Sequence, residues 1–132
     1  MTATGIIVSM SAIPTVPDVL DPRVPVLPLP DVAQRLGQPM TRVHRMLRDG
    51  ELLAVRRDGT PAVPADFLAD GELAVVKHLL GTLTVLRDAG FSDEEMLAWL
   101  FTADDTLPGT PIGALRADRG REVKRRAQAL AL

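Results

Sequence analysis

The breaks in this chain constrain its fold more than any apolar pattern does. Between positions 30 and 66, Gly37, Pro39, Gly50 and Gly59 cut it into pieces too short to be stable alone. Pro30-Asp31 opens the first piece, because proline suits the first helical turn and Asp31 complements the positive end of the helix dipole. Val32, Ala33 and Leu36 then share one face, and Gly37 ends that helix. After Pro39, a second helix opens at Met40 or Thr41 and runs to about Asp49. Val43, Met46 and Leu47 point inward, while Thr41, Arg42, His44, Arg45 and Arg48 point elsewhere. Gly50 supplies the left-handed exit. The third piece reads as a hairpin: Leu52 to Arg57, an Asp58-Gly59 turn, then Thr60 to Pro64. Pro61 and Pro64 suggest that its second strand is an edge strand or a ragged one.

On either side the chain changes character. Residues 1–29 carry Pro14, Pro17, Pro22, Pro25 and Pro28, a density that forbids helix and reads as an extended, flexible tail. Val24, Val26, Leu27 and Leu29 give its last positions a means of docking on the body. Beyond Ala65 the pattern is helical. Leu73, Val76, Leu80 and Leu83 make a stripe, widened by Leu79 and Leu86 and closed by Gly90. Ser92-Asp93-Glu94-Glu95 is a capping box that starts a helix through Met96, Leu97, Trp99 and Leu100. Asp104–Thr110 is loop. Pro111 opens a short helix with Ile112, Ala114 and Leu115, and a last helix spans Arg119–Leu130 with Val123, Ala127 and Leu130 inward.

Composition narrows the class further. The chain has 132 residues, 46% of them hydrophobic and 3% aromatic, so its core is aliphatic and helix is favoured over sheet. It has no cysteine, which suits a reducing compartment and removes thiolate chemistry. No apolar run approaches a membrane span, and the N-terminus lacks the basic start of a secretory signal, so the expectation is a soluble, cytoplasmic protein with no membrane partner. The net charge of −2 hides an uneven distribution. Six arginines face five acids over residues 30–66, three cations face nine acids over 67–118, and five cations face one acid over 119–132. Local basic patches, not the total, set the footprint on a polyanion.

Two short helices in tight succession followed at once by a hairpin is the arrangement of a winged helix-turn-helix. Its second helix enters the major groove, about 12 Å wide, and arginine there pairs with guanine or clamps a phosphate. The candidate contacts to double-stranded DNA are therefore Thr41, Arg42, His44, Arg45 and Arg48 on the helix, with Arg56, Arg57 and Thr60 on the wing. An exposed helix often carries arginines merely as a solvated face. Here the repeated arginines, the glycine-bounded helix pair and the Arg-Arg hairpin favour the DNA reading.

Leu29 to Gly37, Val43, Leu47 to Gly50 and Leu53 to Arg57 resemble the head of a small actinobacterial DNA-binding family related to MerR-type and excisionase winged helices. Gly81 to Leu86, Trp99 to Thr102 and Arg121 to Ala129 resemble the same family's tail, so the likeness covers about residues 18–132. It implies a mostly α regulator of transcription: a tail at 1–29, a MerR/excisionase-like winged helix-turn-helix at 30–66 and a helical C-terminal domain at 67–132. It also implies a substrate of a Ser/Thr protein kinase, with Thr4 and Thr15 as candidate phosphorylation sites among the tail hydroxyls.

The C-terminal half is similar as well to the toxin-binding domain of certain antitoxins, through Trp99 to Thr102, Leu107, Thr110 to Leu115 and Val123 to Ala127. That likeness offers an alternative function, docking of a small partner protein or a second copy; Trp99, Phe101 and Ile112 serve equally well as core. The basic run Arg119 to Arg126 is either a phosphate contact or a set of cations that complements a helix dipole. Catalysis is not expected: there is no Gly-x-Ser-x-Gly, no phosphate-binding glycine loop, and only His44 and His78 to serve as imidazole ligands. Neither a cofactor nor a metal is expected.

Overall fold

A computed structural model describes residues 13–130. In chain order the elements are β1 (Val16–Pro17), β2 (Val26–Pro28), α1 (Leu29–Leu36), α2 (Met40–Arg48), β3 (Val55–Arg57), β4 (Thr60–Pro64), a single 3-10 turn (Ala65–Phe67), α3 (Leu79–Asp88), α4 (Asp93–Leu100), α5 (Pro111–Arg116) and α6 (Gly120–Ala129). The four short strands form one sheet in the order β1-β3-β4-β2.

The proline-rich N-terminal stretch is not a tail from Ile13 onward. Val16 and Pro17 pair in parallel with Val55 and Arg56, and Val26 to Pro28 pair antiparallel with Pro64 to Ala62. Leu20 between them is buried in the common core. Proline excludes helix but is compatible with extended backbone at a sheet edge, and β1 and β2 are the two edges. The part of the tail before Ile13, with Thr4, lies outside the described residues.

Of the two readings of Pro61 and Pro64, an edge strand or a ragged one, the first is overturned, because β4 lies between β3 and β2. Alternation along an antiparallel strand explains how it tolerates two prolines. The position where Pro61 lacks its N–H faces β2, whose pairing stops one residue earlier at Ala62. The corresponding position of Pro64 faces β3, whose pairing has already stopped at Val55 opposite Ala62. No ladder hydrogen bond is lost at either.

Downstream, the long helical stripe begins later than its periodicity implies. After the 3-10 turn, Leu68 bridges Val75 and Ala69 N–H donates to Ala74 carbonyl at 2.9 Å, which closes a small loop around Gly71. His78 then adopts a left-handed φ of 70°, and α3 starts only at Leu79. Leu73 is consequently outside any helix and 74% exposed, and Leu80, within α3, is 48% exposed on the face away from the buried Leu79, Leu83 and Leu86. Leu130, expected inward, is exposed too.

The Ser92 capping box forms as its spacing requires. Glu95 N–H donates to Ser92 Oγ at 3.2 Å and Ser92 N–H to Glu95 Oε1 at 2.8 Å. One continuous aliphatic core joins the two halves, running from Val32, Val43 and Val63 through Phe67, Leu79 and Leu83 to Leu97, Ile112 and Val123. Of the candidates for a partner groove, Ile112 is 1% exposed and belongs to the core, while Trp99 and Phe101 are half-buried against it, Phe101 with its ring centroid 5.9 Å from that of Phe67. Among the described residues, no helix is long and apolar enough to cross a membrane.

Candidate nucleic-acid interface

The putting-forward of α2 begins with the turn before it. Gly37, at φ 63°, donates from its N–H to Gln34 carbonyl, and Gln38 N–H donates to Ala33 carbonyl, which ends α1 in a left-handed cap. Pro39 then caps α2, its carbonyl accepting from the N–H groups of Arg42 and Val43. Val43, Met46 and Leu47 are buried against α1 and the core. Helical geometry of 3.6 residues per turn places Thr41, Arg45 and Arg48 opposite them, and all three are exposed.

Arg42 and His44 fall on the flanks of that outer face and are half-buried. The Arg42 guanidinium turns to Glu51, Nη2 lying 3.5 Å from Oε1, and lines a small cleft with Gln38, Leu73 and Val75. The five helix residues expected to act together are thus divided. Thr41, Arg45 and Arg48 form an outer stripe, and Arg42 and His44 border it on opposite sides.

The wing is a two-residue hairpin in which Asp58 (φ 53°) and Gly59 (φ 77°) both have positive φ, the signature of a type I′ turn. Strand alternation sends Arg56 and Arg57 to opposite faces. Arg56 is exposed; it donates to Gly59 carbonyl and to Thr15 Oγ1, each at 3.2 Å. Thr60 is exposed beside it.

Arg57 differs from the expectation. Its Nε donates to Asp18 Oδ2 at 2.6 Å, its Nη1 to Val24 carbonyl and its Nη2 to Asp21 carbonyl, and its side chain is only 18% exposed. The Asp18 hydrogen bond raises the guanidinium pKa above its ordinary value, while the same bond holds the Asp18 carboxyl below its own. Arg57 is therefore a brace between the wing and the N-terminal segment, not a group facing a ligand. Period-two alternation signals that only one arginine of the pair can face out. The Asp18 partner, 39 positions away, carries no local signal.

Asp18 and Asp21 were not singled out by their sequence context, and they matter here because they position the wing. Asp21 is itself lowered to about 2, chiefly by its hydrogen bond with Arg23. In the segment that follows the wing, Arg116 of α5 donates from Nη1 to the carbonyls of Leu68 (2.7 Å) and Asp66 (3.0 Å), and from Nη2 to Asp70 Oδ2 (2.6 Å). The wing's exit is thereby tied to the helical half.

Comparison with known proteins agrees with this geometry. Residues 12–68 match the model of the winged helix-turn-helix domain of the DNA-binding protein Rv2175c, and residues 76–131 match the Rv2175c C-terminal domain of unknown function. The chain belongs to the Rv2175c family. It is 44% identical over 134 residues to the DNA-binding protein Rv2175c of Mycobacterium tuberculosis, covering 92% of this chain and 91% of that protein. It superposes on the NMR structure of Rv2175c with a TM-score of 0.81, covering 92% of this chain and 90% of that one. The winged helix-turn-helix of the Rv2175c family thus starts well before residue 30, in accord with the two N-terminal strands.

Proposed function

We propose that the protein is a transcriptional regulator that reads duplex DNA with α2 in the major groove and steadies the complex with its wing. The observation that carries this reading is the outer stripe of Thr41, Arg45 and Arg48. It is exposed, free of ion pairs among the described residues, and held away from the body by a helix whose other face is fully buried. Arg45 and Arg48 are suited to base edges or phosphates, and Thr41 to a phosphate near the helix start. Arg42 and His44 border the groove, and Arg56 and Thr60 meet the backbone from the wing. The family's own DNA-binding description supports the assignment.

The test is fluorescence anisotropy of labelled duplexes titrated with wild type, Arg45→Ala/Arg48→Ala and Arg56→Ala at two salt concentrations. The double variant loses about tenfold or more in affinity, Arg56→Ala loses less, and binding weakens with salt. Equal binding by wild type and the double variant would overturn the role of α2.

One contact favours a second element of control. Thr15 Oγ1 accepts from Arg56, so a phosphate placed there would lie against the wing's outward cation. Thr15→Asp then weakens duplex binding to about the level of Arg56→Ala, and the two substitutions combined are no worse than either. Additive losses would separate Thr15 from the wing.

A further inference from the structure

The chain has 15 lysines and arginines, and their surroundings sort them by task. Arg23, Arg42, Arg57, Arg87, Arg116 and Arg119 lie within 4.0 Å of a carboxylate. Among the described residues the rest have no ion pair, and they fall into two separate groups. Arg35, Arg45, Arg48 and Arg56 belong to the winged helix. Lys77, Arg121, Lys124, Arg125 and Arg126 belong to the helical domain, for which the DNA-reading helix provides no explanation.

Within this second group, Arg126 lies in the last turn of α6, whereas Lys77, Arg121 and Arg125 gather around its start. A cleft of about 480 Å³ there is lined by Lys77, Arg119, Arg121 and Arg125 against two acids, Asp118 and Glu122. Glu122 is 3.3 Å from Arg119, which leaves the cleft with an excess of positive charge. Its floor is built by close packing: the His78 ring lies on Gly120, where a β-carbon would fall 2.3 Å from Cδ2. Down α6, Arg121, Lys124, Arg125 and Gln128 follow the spacing of one helical face, and Lys124 reaches across Gly81 of α3.

Helix stability accounts for Arg126, in the last turn of α6, but not for the cations at its start. Arg119 is the N-cap of α6 and Arg121 lies in its first turn, where the positive end of the helix dipole repels a positive side chain. A polyanion would relieve that repulsion. The position also suits the duplex already proposed: α3 runs from this cleft to Arg87, whose Nη2 donates to Gly50 carbonyl at the end of α2. Ten residues of helix span roughly 15 Å, or about four to five phosphates along one strand.

We infer that the face formed by Lys77, Arg121, Lys124 and Arg125 binds the phosphodiester backbone of the same duplex, flanking the site read by α2. It is a sequence-independent contact that gives the helical domain a share in DNA binding. The inference rests on the DNA-binding function proposed above.

The experiment measures affinity against salt for the full chain on a long duplex and on one trimmed to the winged-helix site. Lys77→Ala/Arg121→Ala/Arg125→Ala is compared with wild type and with Arg45→Ala/Arg48→Ala, with circular dichroism to establish that each is folded. On the long duplex the triple variant's slope of log K against log salt falls by about 2 to 3, at about 0.9 per phosphate contact, and equally for unrelated sequences. On the trimmed duplex it matches wild type. An unchanged slope on the long duplex, in a wild type that binds and an Arg45→Ala/Arg48→Ala variant that binds more weakly, overturns this inference alone. A wild type that binds no duplex at low salt overturns both readings. Tripolyphosphate shifting the NMR signals of these residues while duplex slopes stay equal would assign the face to a small phosphate ligand and overturn the duplex contact.

Discussion

Arg57 Nε and Asp18 Oδ2 lie 2.6 Å apart across 39 positions of chain, and this contact makes the N-terminal segment part of the wing. Both side chains are mostly buried, at 18% and 20% exposure, so removing one leaves the other's charge without its partner. Asp18→Ala is expected to destabilise the fold by about 1–3 kcal/mol in urea denaturation. DNA affinity should follow the folded fraction. A variant that stays fully stable would show the contact to be incidental.

The same pair sets a pH dependence. Arg57 holds the native Asp18 pKa below its unfolded value, so its stabilising contribution is present above the ordinary Asp range. As pH falls through that range toward the lowered native value, the contribution is lost. Asp18→Asn should therefore unfold at a lower urea concentration than wild type at neutral pH, with the gap closing in acid. A gap that is constant with pH would remove the ionic explanation.

Arg116 joins the two halves through two carbonyls and one carboxylate. Lysine carries the charge but not the planar fork, so Arg116→Lys should recover little of the loss caused by Arg116→Ala. That loss is expected to be about 2–3 kcal/mol by thermal or urea unfolding. Hydrogen exchange at Leu68 to Asp70 should also rise, and unchanged exchange there would place the effect elsewhere.

Gly50 has φ 75°, and a β-carbon on it would lie 2.8 Å from the Arg87 guanidinium. Gly50→Ala is expected to cost about 1–2 kcal/mol for the left-handed backbone alone. It should also push Arg87 off the Gly50 carbonyl and loosen the end of α2. Calorimetry gives the first effect, and weakened duplex binding by a folded sample gives the second.

Ser92 closes the capping box of α4. Ser92→Ala should lower stability by about 1 kcal/mol, and Ser92→Asp should restore most of it, since Asp is an equally good cap. Equal stability of all three proteins would mean that packing alone sets the start of this helix.

Local chemistry made much of this molecule legible in the sequence. Pro39, Gly50 and the Asp58-Gly59 turn determine the backbone around them, so α2, its outward arginines and the wing follow from neighbours a few residues apart. The errors arose where distant chain decides. Residues 13–28 gain their order from β3, β4 and Arg57, partners 33 to 39 positions on. Leu73 fits a helical stripe by spacing, yet the Leu68–Val75 bridge and the left-handed His78 take it out of any helix. The separation of Arg56 from Arg57 lay between these cases, since alternation predicts opposite faces without saying which of the two faces water.

The strand order β1-β3-β4-β2 has a further consequence for behaviour in concentrated solution. Neither strand of the wing hairpin is an edge, and the edges that flank it are two and three residues long and each ends in proline. An edge that short offers an incoming strand almost no ladder to extend. The N-terminal segment thus shields the sheet against edge-to-edge association, and shortening the chain past Pro17 would uncover β3 as a template for self-assembly.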